Sequence, residues 1–284
     1  MNGIWAAVLT PVDGGYVPDP GCAAPYYAEL LNSGCDGLNV LGTTGEAMSF
    51  SAGQRIRFME ALRSSGLPAE RLMVGTGAAS LRDAVALTRC AFELGLAAAL
   101  VMPPFFFREA SDDGIVAFFD ALFSQTNPPG KRVLLYNFPR MSGIAFHPAL
   151  ICRLLDEFPE VIAGIKDSSN DPLLQSEIIA RRPELRIFPG SERDLAAAKA
   201  RGTAGCISGS VALWPQLART VFEEGGEKAA AELASNRAAL DAFPFIPAVR
   251  YLTAVRLRSA RWENPMPPQQ PLALEQRQAL EQLA

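Results

Sequence analysis

Short apolar runs recur along the chain, and longer amphipathic segments separate them. None of these runs alternates strongly between apolar and polar residues, which is typical of strands that are covered on both faces. The pattern therefore predicts buried β-strands with helices between them. The apolar runs lie at residues 4–9, 36–42, 71–77, 97–102, 132–138, 161–166, 185–190 and 205–210.

The segments between the runs carry helix start and stop signals. Ser51 and Ser80 stand at capping positions, and the helices that they introduce are predicted to stop at Gly66 and Gly95. A serine oxygen accepts a hydrogen bond from a free N–H group of the first turn, and glycine readily takes the left-handed backbone that ends many helices. His147, which precedes a proline, is predicted to start a further helix and to have no catalytic part.

Eight strand-then-helix units without a break in composition predict a single domain of the α/β class, a (β/α)8 TIM barrel. The barrel core is expected over residues 1–210, with a C-terminal helical extension over residues 211–284 packed on it. A doubly wound sheet is less favoured, because no G-x-G-x-x-G motif follows the first strand. The arginines predicted to lie on the surface of this extension are Arg250, Arg256, Arg258 and Arg261.

Composition restricts the possible partners. The chain has 284 residues, of which 49% are hydrophobic, and its formal net charge is −4. This balance indicates a globular protein with no nucleic-acid partner. The first residues contain no positively charged leader, and the longest apolar stretch, "GLAAALVMPPFFF", is interrupted by prolines and is too short to cross a bilayer. We therefore expect no membrane partner and a cytoplasmic location.

Histidine-based chemistry is restricted by a single count. His147 is the only histidine in the sequence, and it is predicted to start a helix and to have no catalytic part. Histidine-rich metal sites and histidine acid–base pairs are therefore unavailable, and a Ser-His-Asp triad is disfavoured. Catalysis by this chain would depend on lysine, tyrosine, threonine, serine or carboxylate side chains.

A lysine ends the sixth predicted strand, in "VIAGIKDSS". In a barrel of this kind, functional groups stand where the strands end. A neutral lysine amine attacks a ketone and forms an imine, and burial favours the neutral amine over the ammonium ion. Lys166 is therefore a candidate nucleophile. The alternative from position alone is a structural lysine that pairs with Asp167 or extends to solvent.

Two further strand ends carry polar groups. The "GTTGE" loop, residues 42–46, follows the second strand, and its hydroxyl and N–H groups suit a carboxylate. Its alternative is an ordinary capping loop in which Glu46 favours the first helical turn. Tyr136 ends the fifth strand, and its hydroxyl is expected to pair with Thr43 and move protons. The alternative for Tyr136 is a rim aromatic that only packs on a loop.

The motifs "GTTGE", "YNFP" and "GIKDSS", in this order on strands two, five and six, resemble the dihydrodipicolinate synthase and N-acetylneuraminate lyase superfamily. The resemblance covers roughly residues 3–250. It implies a class I aldolase or lyase that forms a Schiff base with a small 2-oxo acid. It also implies that the enzyme needs no metal and no cofactor, and that it assembles as a homo-oligomer, either a tetramer or a dimer.

The same resemblance implies a role for each site residue. Lys166 would form the Schiff base, and Tyr136, with Thr43 in its relay, would move protons during imine formation and carbon–carbon bond cleavage. Thr44 and the backbone of its loop would hold the substrate carboxylate, and the main chain near Ile207 would line the other side. The predicted substrate-binding residues are Thr44, Gly42, Ile207, Gly190, Ser191, Ser208 and Arg140.

Three departures from the pattern bear on the substrate. Met141 stands where the synthases carry an arginine for the second substrate's carboxylate, and Arg140 lies one place earlier. The loop after strand four has phenylalanines at residues 105–107, expected at a subunit interface, where the synthases have a tyrosine that reaches a neighbouring subunit. Residues 191–193 read Ser-Glu-Arg, where the sialic acid lyases have paired acids.

The motifs are most similar to those of the 2-keto-3-deoxy sugar acid aldolases. The predicted reaction therefore releases pyruvate and an aldehyde from such an acid. The alternatives are a dihydrodipicolinate (4-hydroxy-tetrahydrodipicolinate) synthase, a keto-deoxy acid dehydratase and a non-catalytic barrel that binds a keto acid. A phosphate-binding barrel that uses "PGSE" and "SGS" after strands seven and eight is a further alternative.

Overall fold

The computed structural model describes residues 1–130 and 132–281. Its centre is a sheet of eight strands, which coincide with the eight apolar runs of the sequence. The strands are β1 (Gly3–Ala7), β2 (Gly37–Val40), β3 (Leu72–Gly75), β4 (Ala98–Val101), β5 (Val133–Asn137), β6 (Ile162–Asp167), β7 (Arg186–Pro189) and β8 (Gly205–Ser208).

The strands form a nearly closed parallel barrel. Their order is β7-β6-β5-β4-β3-β2-β1-β8, and every paired neighbour is parallel. The two strands at the ends of this order, β7 and β8, also contact each other, and Ala204 donates its N–H to the Ile187 carbonyl at 2.8 Å. The predicted (β/α)8 barrel with additional C-terminal helices is therefore confirmed.

Helices follow the strands and cover the outside of the barrel. A parallel connection needs such a crossover, and the helices shield the outer face of the sheet from water. In the described part of the chain they are α1 (Pro20–Asn32), α2 (Ala52–Ser64), α3 (Leu81–Glu93), α4 (Asp112–Thr126), α5 (Pro139–Ser142), α6 (Pro148–Glu157), α7 (Pro172–Arg181), α8 (Leu195–Arg201), α9 (Pro215–Glu223), α10 (Glu227–Asp241), α11 (Phe245–Leu257) and α12 (Leu274–Leu280).

The predicted helix starts are present as hydrogen bonds. Ser51 accepts from the Gln54 N–H at 3.2 Å, and the Gln54 side chain accepts from the Ser51 N–H at 2.9 Å, which completes a capping box at α2. The Ser80 hydroxyl accepts from the Asp83 N–H at 3.3 Å at the start of α3. His147 Nδ1 accepts from the Leu150 N–H at the start of α6. The prediction that His147 begins a helix is confirmed.

Apolar side chains pack on both faces of the sheet. Successive side chains of a strand point to opposite faces, so one set fills the barrel interior and the other packs against the helices. The interior set includes Trp5, Leu100, Phe188 and Ile207, none of which is more than 3% exposed. The interior is therefore a packed core, and a cavity can open only above it, at an end of the strands.

The chain after β8 forms a helical extension that packs on the barrel. α9 contacts β1 and α8, α10 packs on α9, and α11 packs on α10 and α12. The boundary at residue 210 stays a prediction, and residues 282–284 at its far end lie outside the described residues. No single described helix is long and apolar enough to span a membrane, although α10 and α11, bent by 114°, meet that length and composition test as a pair.

One of the four arginines predicted to lie on the surface of the extension is buried instead. Arg256, Arg258 and Arg261 are exposed, but Arg250 is 0% exposed. The prediction for Arg250 is therefore wrong. Its partner, Glu46, lies 204 residues away in the loop after β2, and no local pattern on α11 indicates such a partner.

The buried ion pair joins the extension to the β2 loop. Arg250 Nε lies 2.7 Å from Glu46 Oε2, and its Nη2 donates to the Thr10 carbonyl at 2.8 Å. The second carboxylate oxygen, Glu46 Oε1, accepts from the Met266 N–H at 2.8 Å and from Gln269 Nε2 at 3.1 Å. Each charge is thus compensated by hydrogen bonds, as a pair removed from water requires.

Replacement of Arg250 by methionine is expected to lower the free energy of unfolding by roughly 3–5 kcal/mol, because Glu46 then stays buried without a cationic partner. Arg258→Met, at the exposed end of the same helix, is the control, and its effect is expected to be within about 0.5 kcal/mol. Urea unfolding followed by circular dichroism measures both. Equal losses in the two variants would contradict the prediction.

Candidate active site

A cavity of about 980 Å³ opens at the carboxyl ends of the strands. This is the end of a (β/α)8 barrel at which active sites are built, and the volume is at the upper end of the usual range for small-molecule sites. Of the predicted site residues, those that line the cavity are Lys166, Tyr136, Thr43, Thr44, Gly190, Ser191 and Arg140.

Lys166 projects into this cavity from the end of β6. Its side chain is nearly buried, and its Nζ lies 4.5 Å from the centre of the Tyr136 ring. The two residues are register partners on β5 and β6, so the pairing of the strands places them side by side. A primary amine is therefore held at the floor of the cavity, next to a phenol.

Asp167, the next residue, faces the opposite side of the strand. One of its carboxylate oxygens accepts from Asn137 Nδ2 at 2.8 Å and from the Ser169 hydroxyl at 2.7 Å, and the other accepts from Gln175 Nε2 at 2.9 Å. Because adjacent strand residues point to opposite faces, Asp167 is not placed to neutralise Lys166. The ion pair between Lys166 and Asp167, one of the alternatives that the sequence left open for this lysine, is therefore not formed.

The Tyr136 hydroxyl meets the loop after β2. Tyr136 Oη lies 3.2 Å from Thr43 Oγ1, which is the hydrogen bond expected across the barrel mouth. Thr44, the next residue, is buried and also lines the cavity. Leu41 and Glu46 have left-handed backbone conformations, with φ values of 50° and 52°, and these turn the backbone on either side of the two threonines. The loop therefore presents both hydroxyl side chains beside the lysine.

The ends of β6 and β7 approach closely at another wall of the cavity. The Gly190 N–H donates to the Asp167 carbonyl at 2.6 Å, and a Cβ on Gly190 would lie 2.1 Å from Ser168 Oγ. No side chain fits at this position, which explains the glycine. Ser191 follows, and its hydroxyl accepts from the Arg193 N–H at 3.2 Å. Gly190 and Ser191 thus form a tight turn on the cavity wall.

Three predicted site residues are not among the described residues that line the cavity. Ile207 is wholly buried in the barrel interior, and the Ser208 hydroxyl accepts from Arg237 Nη1 at 3.2 Å. Gly42 packs against Asn39, whose Oδ1 lies 2.5 Å from where a Cβ on Gly42 would be. The contact of all three with substrate stays a prediction.

The extension supplies a cavity wall that sequence reasoning missed. The turn between α10 and α11, residues 243–246, and Arg237 of α10 line the cavity together. The Arg237 guanidinium lies 4.8 Å from the centre of the Phe245 ring, and its Nε donates to Asp241 Oδ1 at 2.9 Å. No signal on α10 indicates this, because "EKAAAELASNRAALD" has the pattern of an ordinary surface helix.

Arg237 also closes a buried polar cluster behind β8. Its Nη1 donates to the Ser210 hydroxyl at 3.0 Å and lies 3.4 Å from a carboxylate oxygen of Glu192, which is 0% exposed and bonded to Ser210. Burial first, and the Glu192 carboxylate second, raise the pKa of the Cys206 thiol, so this cysteine stays protonated at neutral pH. The serine hydroxyls after β8 are thus engaged beside a carboxylate, which disfavours a phosphate site there.

Comparisons with known proteins agree with this geometry. Residues 1–284 match the model of the Dihydrodipicolinate synthetase family. An uncharacterized DapA-like lyase from Chloroflexus aurantiacus is 39% identical over 235 residues, which cover 81% of this chain and 78% of that relative.

Two solved structures have the same fold over their whole length. Dihydrodipicolinate synthase from Agrobacterium tumefaciens has a TM-score of 0.93 at 28% identity, with 100% of this chain and 99% of that chain covered. KD(P)GA from T. tenax has a TM-score of 0.86 at 25% identity, with 100% and 97% covered. This chain therefore belongs to the dihydrodipicolinate synthetase family, whose members are class I lyases and aldolases.

Proposed function

We propose that this protein is a Schiff-base lyase that cleaves a 2-keto-3-deoxy sugar acid into pyruvate and an aldehyde. The observation that supports it is the environment of Lys166, a nearly buried amine with no carboxylate partner among the described residues. It faces the hydroxyl pair of Tyr136 and Thr43 in a large cavity. An amine in this position suits attack on a bound ketone, and the hydroxyls suit proton transfer.

The reaction would begin with attack of Lys166 Nζ on the carbonyl carbon, C2, of the 2-oxo acid. Loss of water gives a protonated imine, which is an electron sink. Removal of the proton from the C4 hydroxyl then allows the C3–C4 bond to break, and its electron pair passes into the imine to form an enamine. The aldehyde leaves, and protonation of C3 followed by hydrolysis frees pyruvate and the lysine.

Tyr136 is the proposed proton carrier in these steps. A phenol donates and accepts protons, and its position beside the lysine suits donation to the departing water and acceptance from the C4 hydroxyl. Thr43, hydrogen-bonded to Tyr136 Oη, would pass these protons on. Thr44 and the loop backbone would hold the substrate carboxylate, as the family resemblance implies.

The choice of a sugar acid is supported by the lining of the cavity. Met141, which cannot bind a carboxylate, lines the cavity, while Ser168, Asn170 and Ser191 supply polar groups suited to sugar hydroxyls. The similarity to KD(P)GA from T. tenax agrees with this choice.

A 4-hydroxy-tetrahydrodipicolinate synthase is the second candidate. The structural similarity to dihydrodipicolinate synthase from A. tumefaciens, with a TM-score of 0.93, favours it. That reaction would condense the pyruvate enamine with aspartate semialdehyde in place of cleaving a sugar acid. Met141 and the phenylalanines at residues 105–107, which lack a hydroxyl, count against it.

A homo-oligomer is the proposed assembly. Phe106 and Phe107 are each 75% exposed, and their rings meet edge to face with centroids 5.3 Å apart. Contact with a second copy of the chain would remove this aromatic pair from water, and aromatic residues are enriched in such interfaces. The cytoplasmic location stays a prediction.

Borohydride reduction in the presence of pyruvate tests the imine. Reduction turns an imine into a stable amine, so intact mass and peptide mapping are expected to show one pyruvyl adduct on Lys166. Lys166→Ala is expected to show no adduct, whereas Lys228→Ala, which removes an exposed lysine of α10, is expected to keep it. Absence of the adduct from the folded, unmodified protein would refute the proposal and favour a non-catalytic barrel that binds a keto acid.

Tyr136→Phe is expected to lower kcat for cleavage by about 10²- to 10⁴-fold, the range for a lost general acid or base, because the ring remains but its proton is gone. Substrate half-saturation is expected to change little. Tyr251→Phe, which removes a hydroxyl bonded to Glu281 outside the cavity, is the control and is expected to keep full kcat. The same kcat in both variants would remove Tyr136 from the mechanism.

Product analysis separates the reactions that share the imine. The proposed lyase is expected to release pyruvate and an aldehyde in equal amounts from 2-keto-3-deoxygluconate, as measured by NMR. A product with an intact carbon skeleton would instead identify a dehydratase. Consumption of pyruvate with aspartate semialdehyde, without cleavage of the sugar acid, would identify the synthase.

A further inference from the structure

Positive charge is concentrated in the active-site cavity, although the whole chain has a formal net charge of −4. In the described lining, five basic side chains face two acidic ones, Asp194 and Asp241, and Asp241 is already paired with Arg237. A cavity with low-dielectric walls focuses such a field and attracts anions. The basic lining residues are Lys166, Arg140, Arg193, Arg201 and Arg237.

The carboxylate next to the 2-oxo group does not account for these arginines. The proposed site for that carboxylate is the loop that carries Thr44, which uses a hydroxyl and backbone N–H groups. Arg237 is engaged by Glu192 and Asp241, so it is already neutralised. Arg140, Arg193 and Arg201 remain as positive charges that the proposed reaction does not use.

Arg201 is the most firmly positioned of the three. It ends α8, and its Nη2 donates to Gln175 Oε1 at 3.3 Å. Gln175 is itself 3% exposed, and its Nε2 donates to Asp167 Oδ2 at 2.9 Å. Because Asp167 directly follows Lys166 on β6, two hydrogen bonds fix the guanidinium relative to the proposed nucleophile.

The donors of Arg201 are mostly unused. Within the described residues its guanidinium forms no ion pair, and its Nε is shielded from solvent without a hydrogen-bond partner. Its Nη1 group also has no hydrogen-bond partner among the described residues. An anion with two oxygens in the cavity would accept from the two Nη groups together, in the parallel arrangement that guanidinium groups form with carboxylate and phosphate.

We propose that Arg201 anchors a second anionic group of the substrate, an inference that rests on the proposed lyase function. Among the substrates of the proposed lyase, this anchor would favour 2-oxo acids whose far end carries a carboxylate or a phosphate over those with an uncharged far end. The exposed residues Arg140 and Arg193 add attraction at the same cavity. The cavity of about 980 Å³ is far larger than a three-carbon pyruvyl group requires.

A matched pair of probes tests this substrate class. 2-Oxoadipate and 2-oxohexanoate share a six-carbon chain and a 2-oxo acid end, and they differ only in the distal carboxylate. Borohydride labelling of Lys166, followed by intact mass, gives a half-saturating concentration for each probe. The value for 2-oxoadipate is expected to be about tenfold lower, the effect of one charge-assisted bidentate contact.

Substitution of Arg201 identifies the anchor. In Arg201→Gln most of the tenfold preference is expected to be lost, because the acyclic chain still reaches Lys166 but its distal carboxylate keeps only the diffuse attraction of Arg140 and Arg193. Arg57→Gln, which removes an exposed arginine of α2 outside the cavity, makes the same change in net charge and is expected to keep the tenfold preference. The comparison is a ratio within each variant, so a general loss of labelling does not imitate the result.

The outcomes separate this proposal from the one on which it rests. If pyruvate labels Lys166 but the unmodified protein does not prefer 2-oxoadipate, the anion site is refuted and the lyase remains. A tenfold preference that is undiminished in Arg201→Gln also refutes the role of Arg201. If pyruvate gives no adduct at all, both proposals fall.

Inorganic phosphate distinguishes the two anionic groups. At constant ionic strength, phosphate that raises the half-saturating concentration of 2-oxoadipate, but not that of 2-oxohexanoate, would assign a phosphate ester to the Arg201 site. Phosphate that affects neither probe, while the preference for 2-oxoadipate persists, would assign a carboxylate.

Discussion

The active-site loop depends on an ion pair that is wholly removed from water. Glu46 takes a left-handed backbone conformation that is unfavourable for a residue with a side chain, and it lies directly after the residues that face the lysine. Four donors compensate this arrangement: Arg250 Nε and Nη2, the Met266 N–H and Gln269 Nε2. Removal of one partner would leave an uncompensated charge in a medium of low dielectric constant. The pair therefore stabilises the packing of the extension against the loop after β2.

The same principle operates behind the other walls of the cavity. Asp167 is held by Asn137, Ser169 and Gln175, and Glu192 is held by Ser210 and Arg237. In both networks the hydrogen bonds of a buried carboxylate are formed by neighbouring side chains. For Asp167 the orientation follows from strand alternation. Adjacent residues of a strand point to opposite faces, so the Asp167 side chain points outward and the Lys166 side chain points inward. The amine therefore lies next to a phenol and without a carboxylate partner among the described residues, which suits the proposed imine chemistry.

In the proposed function, chemistry and specificity are carried by different parts of the molecule. The lysine and the tyrosine stand on neighbouring strands, whose pairing holds them in register. The arginines stand on α5, α8, α10 and the turn after β7, which surround the cavity and would face the part of the substrate that leaves as the aldehyde. The strands form a rigid scaffold, whereas the loops and outer elements vary. The same lysine and tyrosine would therefore be compatible with substrates that differ in the part released as the aldehyde. Charged groups on those outer elements would then select the substrate, because a substrate that pairs with them gains binding energy in the transition state.

The sequence by itself determined the barrel, its strand positions and the three motifs at the cavity. Apolar runs of strand length and capping residues are local signals, and in a parallel barrel the ends of all strands meet at one face, so Lys166, Tyr136 and Thr43 were bound to converge. Only the tertiary structure decided that Arg250 is buried, that α10 supplies Arg237 to the wall, and that Ile207 belongs to the packed interior of the barrel. These outcomes depend on partners far apart in the chain, 204 residues in the case of Glu46 and Arg250. A helix pattern shows which residues share a face, but the burial of a charge depends on which distant carboxylate packs against that face.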